Sequence, residues 1–167
     1  NSVLLNRVSQ GLYPPGSTFK LVTALEYIRE HPNTYKNYRY DCTGSITADN
    51  YTLHCFGNSV HGDVDLKKSL AKSCNSSFAN IGLSLDRQRY TDTCEDLLFN
   101  KSLPAGFPSS KSRFSLQPGA SDSAVMATVY LRFGVVTRLL TGLGRKFVFV
   151  RGYIGLCIWI DNNLHAD

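Results

Sequence analysis

The chain has 167 residues, of which 43% are hydrophobic and 19% are charged; this composition is typical of one globular domain and argues against a disordered chain. Its net charge of +5 is not gathered in a basic stripe with interleaved aromatic residues, so we expect no nucleic-acid partner. The most apolar run, residues 147–160, is shorter than the roughly 20 residues that span a bilayer and is interrupted by Arg151, so we expect no transmembrane segment in it.

The first predicted helix covers residues 17–30, directly after a Pro-Pro-Gly turn. Leu21, Leu25 and Ile28 recur at i, i+4 and i+7, a spacing that places them on one face of a helix. Glu26 lies off this apolar stripe. We therefore expect the three apolar side chains to face the core and Glu26 to face solvent.

The other elements up to residue 130 are predicted from periodicity and turn residues. Residues 45–55 predict two short strands around a turn at Asp49 and Asn50. Three prolines predict a loop over residues 101–119. Apolar spacing predicts four further helices, which cover residues 66–72, begin at Asn75 and at Arg89, and occupy residues 121–130.

The pattern changes after Tyr130. Residues 131–167 show neither a clean helical period nor clean strand alternation, although their short apolar patches are compatible with buried strands. The alternative is a stretch that was never selected to fold. We therefore expect a division between a structured part, residues 1–130, and a tail, residues 131–167.

The pattern Ser-x-x-Lys occurs twice, as Ser17 with Lys20 and as Ser69 with Lys72. Ser17 opens its predicted helix, where free backbone N–H groups and the positive helix end can stabilise an oxyanion. Lys20 follows on the same face, within reach of the hydroxyl. Ser69 lies inside its predicted helix, where the N–H groups are already hydrogen-bonded. We therefore predict Ser17 as a nucleophile and Lys20 as its base; the alternative is that Ser17 only caps a helix.

A Ser-x-Asn pattern, formed by Ser73 and Asn75, follows directly after Lys72. A second serine can relay a proton between Lys20 and a leaving amine, and an Asn side chain can bind a substrate amide. The alternative is that both residues cap the next helix.

Two segments, YPPGSTFK at residues 13–20 and SCNSSFANIG at residues 73–82, resemble the transpeptidase domain of penicillin-binding proteins. The resemblance covers residues 1–130. It implies an α+β, serine β-lactamase-like fold, of which this chain holds mainly the helical portion, with the main sheet largely missing. It also implies four site residues: the acylated nucleophile Ser17, its proton acceptor Lys20, the proton relay Ser73, and Asn75 as a partner of substrate and lysine. No cofactor is implied.

The same resemblance implies a serine D,D-transpeptidase that cross-links peptidoglycan, with D-Ala-D-Ala stem peptides as substrates and β-lactams as covalent inhibitors. It places the parent protein at the extracytoplasmic face of the bacterial cell membrane. The chain does not begin with Met and shows no targeting segment, so we expect a membrane anchor to precede Asn1. Three alternatives remain: a hydrolase of the β-lactamase or carboxypeptidase kind, a catalytically inactive β-lactam-binding module, and a helical interaction module.

The third motif of the family, Lys-Thr-Gly or Lys-Ser-Gly, is missing from the sequence, since no Lys is followed by either pair. In the family this motif lies on a strand beside the nucleophile, where it supplies a cation for the substrate carboxylate and a second N–H group for the oxyanion. Losing one oxyanion donor typically costs about 10²- to 10³-fold in rate, so we expect weak or no activity. We interpret residues 131–167 as an out-of-frame or otherwise aberrant tail. Reading the DNA in its other frames tests this, and the idea fails if no frame restores the motif.

The five cysteines cannot all pair with one another. Cys42 and Cys55 flank the predicted hairpin and can form a disulfide in an extracytoplasmic domain. The alternative is a zinc site made of Cys42, His54, Cys55 and His61, although no Cys-x-x-Cys is present. Cys74, inside the Ser-x-Asn motif, is interpreted as a small packed residue.

Overall fold

The computed structural model describes residue 6 and residues 9–104, 106–129 and 136–137. Its α-helices are α1 (Lys20–Glu30), α2 (Leu66–Ala71), α3 (Asn75–Ser84), α4 (Arg87–Asp96) and α5 (Asp122–Val129). Its strands are β1 (Leu12–Tyr13), β2 (Tyr40–Cys42), β3 (Ser45–Ala48), β4 (Tyr51–His54), β5 (Gly62–Val64) and β6 (Val136–Thr137). Most of the proposed tail, residues 131–167, lies outside the described residues.

The strands form three antiparallel pairs, β1 with β6, β2 with β5, and β3 with β4. The hairpin predicted over residues 45–55 is confirmed as β3 and β4. Asp49 and Asn50, with φ of 49° and 59°, form its two-residue turn. Positive φ at both turn residues matches the right-handed twist of the two flanking strands. The hairpin therefore places His54, at the end of β4, beside the beginning of β3.

Capping side chains set where the helices begin. Asp65 caps α2, because its Oδ1 accepts a hydrogen bond from the Lys68 N–H at 2.6 Å. The helix predicted from Arg89 begins two residues earlier, since Asp86 caps it and accepts from the Arg89 N–H at 2.8 Å. The helices at Asn75 and in residues 121–130 are confirmed as α3 and α5. None of the helices in the described part of the chain has the length and apolar character needed to cross a membrane.

Helix α3 lies at the centre and packs against α1, α5 and the β3–β4 hairpin. Its contact with α5 is close at Gly82, where an added Cβ would lie 2.6 Å from Cγ2 of Val129. Phe78 and Ile81 of α3 are fully buried. The central helix therefore fixes the position of its own N-terminal turn, which carries Asn75.

The buried face predicted for α1 is wrong. Leu21, Leu25 and Ile28 are exposed in part, Leu21 by 45%, whereas Glu26 is only 1% exposed. Glu26 Oε2 accepts a hydrogen bond from Thr93 Oγ1 of α4 at 2.5 Å. Arg89 Nε of α4 lies 3.6 Å from Glu26 Oε1, so the buried carboxylate has a cation as its partner, and the α1–α4 contact uses the face that carries it.

An aromatic cluster supports the first turn of α1. The Phe19 ring stacks on Phe114 at a centroid distance of 5.4 Å, makes an edge contact with Phe99 at 5.6 Å and lies tilted against Tyr90 at 6.1 Å. Phe19 immediately precedes Lys20, so this cluster anchors the backbone from which Lys20 projects.

Replacing Phe19 with Ala is expected to lower the free energy of unfolding by about 3–5 kcal/mol, because it empties the centre of this cluster. Phe56→Ala is the matched control, since Phe56 is 91% exposed while Phe19 is 1% exposed. The control is expected to stay within about 0.5 kcal/mol of the parent chain. Urea unfolding followed by circular dichroism measures both, and equal losses would contradict the cluster.

Candidate active site

Ser17 lies in a short 3₁₀ turn, Gly16–Phe19, that leads directly into α1. Gly16 has a φ of +56°, a left-handed conformation that favours glycine after the two prolines. The N-cap of α1 is Phe19, so Ser17 does not cap this helix. The Ser17 side chain is half-buried, and its Oγ lies 3.2 Å from Lys20 Nζ.

Lys20 is only 1% exposed, and its Nζ is surrounded by oxygen atoms from both motifs. Besides Ser17 Oγ, it lies 3.0 Å from Ser73 Oγ, 2.6 Å from the Ser73 carbonyl oxygen and 2.7 Å from Asn75 Oδ1. The four residues predicted from the two motifs therefore meet at one amine, although more than 50 positions separate Lys20 from the second pair.

These four oxygens suit both protonation states of the amine. The Ser73 carbonyl and Asn75 Oδ1 can only accept hydrogen bonds, so they take the two hydrogens of a neutral amine. Its lone pair is then free to accept the Ser17 hydroxyl proton. The third hydrogen of an ammonium group can point to Ser73 Oγ. Lys20 is thus placed to take a proton from Ser17 and to donate a hydrogen bond to Ser73.

The Ser73–Asn75 segment links α2 to α3. Ser73 has a φ of 50°, a left-handed conformation that turns its hydroxyl and its carbonyl oxygen towards Lys20. Asn75 Nδ2 donates to the His54 carbonyl at 2.8 Å, which ties the site to the end of β4. The N-cap of α3 is Cys74, whose Sγ accepts from the Ser77 N–H at 3.4 Å. The capping alternative for Ser73 and Asn75 is therefore wrong.

The second Ser-x-x-Lys pair has no comparable geometry. Ser69 is fully buried inside α2, and its Oγ lies 2.7 Å from Ser77 Oγ. Lys72 is exposed at the end of the same helix. The structure therefore separates the two copies as the sequence predicts.

The cysteine cluster differs from the predicted zinc set in one residue. The ligand atoms of Cys42, Cys55, His61 and Cys74 lie within 4.8 Å of one another, whereas the exposed His54 side chain is not part of this group. Successive residues of an extended chain point to opposite sides, so the buried Cys55 directs the neighbouring His54 outwards. Cys74 replaces His54 in the predicted set. The sequence signal that could have indicated Cys74 is its position inside the Ser-x-Asn motif.

The predicted disulfide partners Cys42 and Cys55 are free thiols with their Sγ atoms 3.7 Å apart. Burial raises the pKa of the Cys42 thiol, but hydrogen bonds from Ser76, His61 and the Gly44 backbone outweigh this and lower the pKa to about 6. Burial raises the pKa of Cys74 to about 12. The neighbouring thiols of the cluster therefore have very different electrostatic surroundings. The remaining cysteines are Cys94, a buried core residue, and Cys157, which lies outside the described residues.

A family model described as the penicillin binding protein transpeptidase domain matches residues 1–133. The chain belongs to this family. Peptidoglycan D,D-transpeptidase PbpA of Mycolicibacterium smegmatis is 35% identical over 86 residues, which are 50% of this chain and 18% of that protein. Stage V sporulation protein D of Bacillus subtilis is 27% identical over 89 residues, 53% of this chain and 14% of that protein. The matched segments thus span less than a fifth of the length of each of these two relatives.

Solved structures of penicillin-binding proteins share the fold of the described residues. The imipenem acyl-enzyme complex of penicillin-binding protein A from M. tuberculosis superposes with a TM-score of 0.73 at 21% identity, covering 83% of this chain and 33% of that one. Pseudomonas aeruginosa PBP2 in complex with WCK 5153 gives a TM-score of 0.72 at 21% identity, covering 82% of this chain and 34% of that one. The expectation of a partial α+β transpeptidase fold is confirmed.

Proposed function

We propose that this chain carries the nucleophile half of a penicillin-binding D,D-transpeptidase site, with Ser17 as the acylated residue. The observation that carries the proposal is the position of Lys20 Nζ, 3.2 Å from Ser17 Oγ and 3.0 Å from Ser73 Oγ. A nucleophilic serine needs a base within hydrogen-bond reach, and that base needs partners that orient it. Asn75 and the Ser73 carbonyl provide this orientation.

The proposed reaction begins when Ser17 Oγ attacks the carbonyl carbon of the D-Ala-D-Ala peptide bond and its proton passes to Lys20 Nζ. Lys20 then returns a proton through Ser73 Oγ to the amide nitrogen, the C–N bond breaks, and D-Ala leaves as the free amino acid. An ester between Ser17 and the stem peptide remains. The amine of a neighbouring stem peptide resolves this ester and restores the Ser17 hydroxyl.

Asn75 has a second proposed role as a substrate ligand, since an amide side chain can both accept and donate hydrogen bonds. In this structure its Oδ1 and Nδ2 are engaged by Lys20 and by the His54 carbonyl. We therefore expect Asn75 mainly to hold Lys20 in place and to shift towards the substrate amide on binding.

The partners and location follow from family membership. We propose peptidoglycan stem peptides as substrates, β-lactams as covalent inhibitors and the extracytoplasmic face of the bacterial cell membrane as the place of action of the parent protein. Residues 1–130 are proposed as the part that belongs to the transpeptidase domain, and residues 131–167 as a tail; the family match that ends at residue 133 supports this division. The absent Lys-Thr-Gly motif predicts slow acylation.

Fluorescent penicillin tests the proposal directly. The folded chain is expected to acquire a covalent label slowly, over prolonged incubation, and the label should survive denaturing electrophoresis. Preincubation with unlabelled penicillin should block it, and heat-denatured protein should stay unlabelled. A chain that remains unlabelled at saturating penicillin would overturn the proposal and favour the helical interaction module. Rapid loss of the label in a chase with unlabelled penicillin would favour the hydrolase alternative.

A further inference from the structure

Four potential metal ligands converge from four separate segments of the chain. Cys42 ends β2, Cys55 follows β4 directly, His61 precedes β5, and Cys74 is the N-cap of α3. The three thiols are at most 3% exposed, and the fourth member of the group, His61, is partly exposed. The proposed acyl transfer uses none of these side chains.

The four ligand atoms lie within 4.8 Å of one another, and three of their six pairwise distances match those around a tetrahedral zinc ion. Zinc–sulfur bonds of about 2.3 Å at the tetrahedral angle place two sulfur ligands about 3.8 Å apart. The Sγ atoms of Cys42 and Cys55 lie 3.7 Å apart, and those of Cys55 and Cys74 lie 3.8 Å apart. His61 Nδ1 lies 3.3 Å from Cys42 Sγ, close to the roughly 3.5 Å expected between a nitrogen and a sulfur ligand.

We propose that Cys42, Cys55, His61 and Cys74 bind one Zn²⁺ ion in a closed structural site. Three soft thiolates and one imidazole favour zinc over magnesium or calcium, which prefer oxygen ligands. All four coordination positions are filled by protein, so no position remains open for a water or a substrate. The site therefore supports the structure and takes no part in acyl transfer.

Hydrogen bonds around the cluster suit bound thiolates. The buried Ser76 Oγ lies 3.1 Å from Cys42 Sγ and 3.4 Å from the Sγ atoms of both Cys55 and Cys74. The Ser77 N–H donates to Cys74 Sγ at 3.4 Å. Such outer donors hold metal ligands in position and stabilise their negative charge. Ser76 and Ser77 belong to the same turn of α3 as Asn75.

Cys74 connects the proposed zinc site to the candidate active site. This cysteine lies between Ser73 and Asn75, both of which contact Lys20 Nζ. Cys55 follows His54, whose carbonyl accepts from Asn75. A zinc ion that joins Cys55 to Cys74 therefore fastens the Ser73–Asn75 segment to the end of β4.

A disulfide is the competing outcome for the same atoms. Cys55 lies at nearly equal distances from Cys42 and Cys74, so a bond to either one leaves the third thiol unpaired. A metal ion uses all three thiols at once, which is the arrangement that the distances favour. Non-reducing mass spectrometry distinguishes the two, because a disulfide makes the chain two hydrogens lighter.

The test measures zinc in the full 167-residue chain purified without chelator. We expect about one zinc ion per chain by elemental mass spectrometry, as for a four-ligand site. Replacing zinc with Co²⁺ should give the intense visible bands of a tetrahedral site with thiolate charge transfer. A strong chelator should lower the melting temperature, because an ion that binds only the folded state stabilises it.

His61→Ala is expected to lose the zinc, whereas the matched control His54→Ala keeps it, since the His54 side chain lies outside the cluster. If His61→Ala does not fold, the cobalt spectrum of the parent chain decides the matter. A chain that holds no zinc and gives no tetrahedral cobalt spectrum would overturn the proposal, and so would a chain whose mass shows a disulfide among these cysteines. These readouts do not depend on acylation, so the zinc site and the proposed function can fail separately.

Discussion

Replacing Ser17 with Ala is expected to abolish covalent labelling by penicillin, because a methyl group has no oxygen to attack the lactam carbonyl. The other proposed site residues remain in place, since Lys20 keeps its contacts with Ser73 and Asn75. Labelling is measured by fluorescence after prolonged incubation. Circular dichroism should show an unchanged fold.

The matched control for this variant is Ser69→Ala, which removes the serine of the second Ser-x-x-Lys pair. Ser69 Oγ is buried against Ser77 Oγ, so the control is expected to lose about 1 kcal/mol of stability and to label at the parental rate. Labelling that persists in Ser17→Ala, or that disappears only in Ser69→Ala, would assign the nucleophile to another residue.

Replacing Lys20 with Met is expected to slow acylation by about 10²- to 10⁴-fold, the usual contribution of a positioned general base. Methionine keeps much of the aliphatic stem and removes the amine that lies 3.2 Å from Ser17 Oγ. The effect should appear in the rate of adduct formation, measured as a time course at several penicillin concentrations.

Lys72→Met is the control for this second variant. Lys72 has the same place in the second motif but is exposed, so its loss is expected to leave the acylation rate unchanged. Lys20→Met also leaves Asn75 Oδ1 and the Ser73 carbonyl without their donor, so its stability must be measured beside its rate. Equal rates for Lys20→Met and the parent chain would exclude Lys20 as the base.

The sequence predicted the local elements and the motif residues because each rests on short-range information. The Asp49–Asn50 turn and the α3 helix follow from neighbouring residues, and the motif spacing singled out Ser17 and Lys20. That Lys20 contacts both Ser73 and Asn75 could only be inferred through family resemblance. Their approach depends on how α1 packs against α3, which no local pattern encodes.

Two errors show where local patterns fail. The apolar stripe of α1 predicted the wrong buried face, because the Glu26 carboxylate is buried against α4, where Thr93 donates a hydrogen bond to it and Arg89 pairs with its charge. The predicted zinc ligands included His54 instead of Cys74, because the direction of a strand side chain and the approach of α3 both depend on tertiary structure. In each case a partner distant in the sequence decided the outcome.

Peptide mapping of the penicillin adduct by mass spectrometry tests the central claim most directly. After prolonged incubation and proteolysis, the added mass is expected on the peptide that contains Ser17, with fragment ions that place it on the Ser17 side chain. The same peptide from Ser17→Ala should carry no added mass. An adduct on Ser69, Ser73 or a cysteine, or no adduct on any peptide, would contradict the assignment of Ser17 as the acylated nucleophile.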